Sequence, residues 1–144
     1  MIFGKPFFQG ETTVDQLIQI MRILGTPDNN QLQYLNKNGS LNCQFPEVKA
    51  LTITKAFAGK PKELISLLKK IFIYEPHKRI SALEIMTHPF FDDLRNLDLT
   101  QNGKFIIPNI FDFNSKEISL YKNKDKDIMK KIIPEWSENY KDIL

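Results

Sequence analysis

The chain is poor in cysteine, histidine and arginine. One cysteine, Cys43, among 144 residues leaves no intrachain disulfide to form, which fits a reducing compartment. The two histidines, His77 and His88, have no cysteine or second histidine at metal-ligand spacing, so no metal site is expected. Basic charge is almost all lysine; only Arg22, Arg79 and Arg95 are arginines. With a net charge of +3 and both signs interspersed, the sequence lacks the clustered basic face of an electrostatic nucleic-acid binder. Long apolar runs are missing too. The opening MIFGKPFFQG is broken by Gly4, Lys5 and Pro6 and is too short for a signal-peptide core or a membrane span. A cytoplasmic or nuclear location is therefore expected, with neither nucleic acid nor membrane as partner.

Catalytic signatures are equally scarce. No G-x-G-x-x-G or G-x-x-x-x-G-K-[ST] run is present to cradle a phosphate, and no G-x-S-x-G elbow to present a nucleophile. Asp112-Phe113-Asn114 has the look of a metal-binding D-F-G, but the glycine is missing and no H-R-D precedes it. Asp92-Asp93 is a carboxylate pair at adjacent positions, which do not face each other on a helix. No catalytic, cofactor-binding or metal-ligating residue is assigned.

What is present is helical pattern. Hydrophobic residues make up 42% and charged residues 26%, enough of each for a packed core and a solvated surface. Val14, Leu17, Ile18, Met21 and Leu24 form one helical stripe, with Thr12 or Thr13 as the N-cap and Gly25 placed for a left-handed C-terminal residue. Thr26-Pro27 is expected to open a second helix with proline at its first position, running to about Leu35. From Asn36 to about Gly59 the periodicity fails, and a long loop is expected. Pro61 starts another helix carrying Leu64, Leu67, Leu68 and Ile71 and ending near Tyr74. Ser81 and Glu84 then make a capping box, with Ile80 and Ile85 at the staple positions. His88 before Pro89 reads as a cap or a packed side chain. The stretch Phe105–Phe113 reads as extended, and Lys122–Lys131 as a solvated charge run. No strand signal is strong, so the class is mostly α.

The order of the punctuating motifs resembles one family. Gly4-Lys5-Pro6-Phe7-Phe8-Gln9-Gly10, then Val14-Asp15-Gln16-Leu17, then Leu24-Gly25-Thr26-Pro27 are similar to a stretch shared by cyclin-dependent, mitogen-activated and glycogen synthase kinases. Tyr74-Glu75-Pro76-His77-Lys78-Arg79-Ile80 and Met86-Thr87-His88-Pro89-Phe90-Phe91 look like that group's last two C-lobe helices and their link. Phe91-Asp92-Asp93-Leu94-Arg95, Gln101-Asn102-Gly103 and Ile110-Phe111-Asp112-Phe113 narrow the resemblance to protein serine/threonine kinases of the glycogen synthase kinase 3 type.

That resemblance implies the C-terminal helical part of a kinase C-lobe: the last turn of the central helix, three to four further helices, a long insert loop and an extended tail. Residues 1–91 would be a partial kinase domain and 92–144 a C-terminal extension. ATP and magnesium would serve the intact family, while these residues would supply scaffold and docking surface. Arg79 falls at the buried arginine that pairs with a glutamate closing the activation segment, a residue outside these 144. Val14, Leu17, Ile18 and Phe45 fall where the family forms a groove for an amphipathic helix of a scaffold protein. Expected partners are the N-terminal part of the kinase, scaffold proteins and protein substrates. An alternative is a free-standing, non-catalytic interaction module. If the central helix is missing, Leu64, Leu67, Leu68, Ile71 and Ile85 should face water, and the segment alone should pack loosely or aggregate.

Overall fold

A computed structural model describes residues 2–36, 45–96, 110–122, 126–137 and 140. Of the regions read from sequence, Cys43, Leu97, Leu99 and most of Phe105–Phe113 lie outside them. The described residues are helical and contain no strand. They divide into two compact units, residues 1–80 and 81–144. That division by compactness is distinct from the division at residue 91 that the family resemblance implies.

In the first unit, α1 (Thr13–Leu24) starts where the Thr12 hydroxyl accepts the Asp15 N–H and ends at Gly25, whose φ of 88° suits a residue without a Cβ. Gly25 is also a point of close approach. A Cβ built there would sit 3.4 Å from the Cβ of Ala50. The segment that follows is stitched to this helix end: Thr26 N–H donates to Val48 O, Leu51 N–H to Arg22 O and Thr52 N–H to Ile23 O. The Thr26 hydroxyl donates to Pro46 O and accepts the Val48 N–H, both at 2.7 Å. Helix α2 (Asn29–Leu35) begins two residues later than expected. Asp28 and Gln31 form a reciprocal capping box there, leaving Pro27 ahead of the cap.

The expected long loop is not featureless. Its end forms a one-turn helix, α3 (Ile53–Ala56), entered through Thr52 at φ 72°, a conformation a β-branched residue seldom adopts. This turn decides the packing of α4 (Lys62–Ile71). Ile53 and Phe57 close over Leu64 and Leu68, with Phe7, Ile65 and Phe72 around them. The expectation that the α4 leucines face water is therefore overturned: Leu64, Leu67 and Leu68 are buried, and Ile71 and Ile85 are half-buried. For Leu64 and Leu68 the cover comes from the chain's own loop, which shows no periodicity and so gave no sign of a buried face.

In the second unit, α5 (Ala82–Met86) carries the expected capping box of Ser81 and Glu84. A 3₁₀ turn, Pro89–Phe91, follows; buried His88 caps it, its Nδ1 accepting the Phe90 N–H at 3.3 Å. Helix α6 (Asp92–Asn96) comes next. The tail then holds two helices, α7 (Ser115–Lys122) and α8 (Lys126–Ile132). The run read as a solvated charge surface is in part a core element. Met129, Ile132 and Ile133 are fully buried, packed by Leu83, Met86, Phe113, Ile128 and Tyr140. Lysines between them face out, so composition hid an apolar stripe at helical spacing.

Candidate functional site

The first unit has an open apolar hollow of about 330 Å³. Leu17, Ile20 and Leu24 of α1 form one wall; Ile71, Phe72, Ile73 and Tyr74 at the end of α4 form another, and Phe8 and Arg79 complete the lining. Amphipathic spacing on α1 explains the first wall. The second exists because the chain leaves α4 at Phe72 and turns before Pro76, where a 3₁₀ turn (Pro76–Lys78) begins.

Three polar groups fix this turn. The Tyr74 hydroxyl donates to Gly25 O at 2.7 Å, and burial pushes its pKa up to about 12. Glu75 is a buried carboxylate that accepts from Lys78 Nζ at 2.7 Å and from Gln31 Nε2 at 3.3 Å. The Lys78 hydrogen bond holds its carboxyl below the usual glutamate value, with Gln31 helping, against the opposing effect of burial. The same contact raises the Lys78 ammonium. Arg79 is exposed; its Nε and Nη2 both donate to Ile73 O, at 3.3 and 2.9 Å. Among the described residues it forms no ion pair.

The Glu75 linkage has a definite sign. A folded-state pKa lowered from 4.5 adds stability that is present above pH 4.5 and lost as pH falls through the depressed value. Urea midpoints of the wild type and Glu75→Gln should thus differ most near neutral pH and converge as pH falls through the depressed value, below 4.5. A difference constant across that range would remove the Glu75–Lys78 contact from the account.

Of the groove residues expected from sequence, the structure brings only Leu17 into the hollow. Val14 is 61% exposed and stands one turn before Ile18, which is half-buried, so these two share the outer side of α1. Phe45 is half-buried and does not line the hollow. Sequence reasoning gave no role to Glu75 or Arg95. Arg95 donates to the carbonyls of Met86, Thr87 and His88 and to the Asp92 carboxylate. The available signal was Arg95's rarity as one of three arginines and its place three residues after an aspartate. His77 is exposed, with its ring 4.8 Å from that of Tyr34. Among the described residues no group of three or more His, Cys, Asp or Glu is arranged to hold a metal ion, and no helix is long and apolar enough to cross a membrane.

No family model matches the sequence. Curated proteins do. The chain is 35% identical over 127 residues to a protein of Pyricularia oryzae named glycogen synthase kinase 1, an alignment covering 83% of this chain and 32% of that protein. It is also 35% identical over 137 residues to protein kinase gsk31 of Schizosaccharomyces pombe, covering 90% of this chain and 36% of that protein. The chain thus spans about a third of the length of the curated relatives it matches.

Proposed function

We propose that this chain, a member of the glycogen synthase kinase 3-like kinases related to them over most of its length, is the scaffold and docking part of a kinase C-lobe. In this reading the intact protein phosphorylates serine or threonine of protein substrates with ATP and magnesium. The 144 residues lack the motifs for that chemistry, and the described carboxylates do not cluster as metal ligands, so no step through ATP or magnesium is assigned to them.

The observation that carries the reading is the apolar hollow with the exposed Arg79 guanidinium in its lining. A lobe element laid into it would remove the walls from water. A carboxylate on that element would meet an arginine whose two hydrogen bonds to Ile73 O leave part of its donor fork for a further acceptor. Val14 and Ile18, on the outer side of α1, together with Phe45, are left for an amphipathic scaffold helix.

The two roles separate in a protein extended to the length of its relatives. Arg79→Ala should lower both melting temperature and kinase activity, because it would strand a buried carboxylate. Ile18→Glu should keep melting temperature and activity while weakening capture of an amphipathic scaffold peptide. An unchanged melting temperature and activity for Arg79→Ala, or undiminished capture by Ile18→Glu, would overturn the corresponding role.

A further inference from the structure

The second unit has two hollows that share a wall. One, of about 280 Å³, is apolar: Ile85 and Met86 of α5, Leu94 of α6, Phe111 and Ile132 line it. The other, of about 570 Å³, is polar and holds Lys130, Lys131, Glu135, Trp136 and Tyr140. Arg95 lies in the lining of both.

Trp136 lines the polar hollow and packs on Phe111, which lines the apolar one. The residue is 46% exposed, an unusual state for the largest aromatic side chain, yet it is held by two contacts. The indole N–H donates to Arg95 O at 3.2 Å, and the ring packs edge-to-face on Phe111 with centroids 5.5 Å apart. The wet side of this indole faces a lining in which cations outnumber the one described carboxylate, Glu135. Arg95 is already committed to three carbonyls and Asp92 and serves as a rigid wall. Lys130 and Lys131 are exposed and enter no ion pair among the described residues.

From this juxtaposition we propose that the second unit docks a short acidic peptide segment carrying an apolar anchor side chain. The anchor enters the apolar hollow beside Phe111, the peptide backbone crosses the held face of Trp136, and its carboxylates meet Lys130 and Lys131. A half-exposed aromatic held beside an apolar pocket is the arrangement that concentrates binding energy once a partner's side chain fills the pocket and excludes water. Two free lysines flanked by a glutamate are too few for a polyanion, whose affinity grows with the number of phosphates neutralised. This proposal uses neither the hollow of the first unit nor the kinase reading, and it stands or falls apart from them.

Trp136 is the chain's single tryptophan, so its fluorescence reports this surface alone. The 144-residue chain would be titrated with a short peptide of glutamate and leucine, with its glutamine-for-glutamate counterpart, and with oligothymidylate. The glutamate–leucine peptide should produce a saturable change in emission. The Lys130→Gln/Lys131→Gln double variant and the glutamine peptide should each bind at least about tenfold more weakly. Both lysines are exposed, so the double variant should keep the helical circular-dichroism signal; should it lose that signal, the glutamine peptide makes the same test on the unaltered chain. No saturable change with the acidic peptide, equal affinity for the two peptides, or equally tight binding of oligothymidylate would overturn the proposal.

Discussion

Phe57→Ala is expected to cost the first unit roughly 3–5 kcal/mol, the usual range for emptying a buried phenylalanine site. The residue is only 3% exposed and sits in the cluster with Ile53, Leu64 and Leu68. Its ring also lies 4.7 Å from Phe7 and 5.2 Å from Phe3, centroid to centroid. Alanine would therefore remove the cover of α4 and the seat of the N-terminal aromatic residues together. Because a whole domain is stable by only about 5–15 kcal/mol, this one change should bring the unit close to unfolding at room temperature. Urea denaturation followed by circular dichroism measures it. A loss under about 1 kcal/mol would mean that the loop ending in α3 does not close over α4, and that the α4 leucines need another element to cover them.

The second large effect lies in the tail. Ile133→Ala should destabilise the second unit by about 2–5 kcal/mol, since its side chain has no solvent exposure and packs with Met129 and Ile132. Lys131→Ala, two positions earlier and exposed, should stay within about 0.5 kcal/mol. The comparison isolates the stripe from the charge around it. If both variants melted like the wild type, the run Lys122–Lys131 would be the solvated surface that its composition suggests, and the helix α8 would have no core to join.

Legibility followed the range of the interaction responsible. A cap at Thr12 or Thr13, the positive φ of Gly25, and the Ser81–Glu84 capping box were readable because each involves neighbours within one helical turn. The start of α2 was misplaced for the same kind of reason. Two local signals competed, Pro27 and the Asp28–Gln31 box, and reciprocal capping that satisfies two backbone donors prevailed over a preset φ. Leu17 was named together with Val14 by the family resemblance alone, and sequence could not say that Leu17 turns into the hollow while Val14 points to solvent.

Sequence alone determined the helical class, the two ends of α1, the capping box that opens α5 and the family kinship, since periodicity, capping and motif order are properties of residues close together along the chain. Tertiary structure alone decided which apolar faces are covered. Phe57 reaches the leucines of α4 across the break at Gly59 and Pro61, and Met129, Ile132 and Ile133 are buried by residues far back along the chain, Leu83 and Met86 among them. It alone also set a tryptophan and two lysines beside an apolar hollow. Burial depends on which distant segment arrives to exclude water, and no local pattern encodes that arrival.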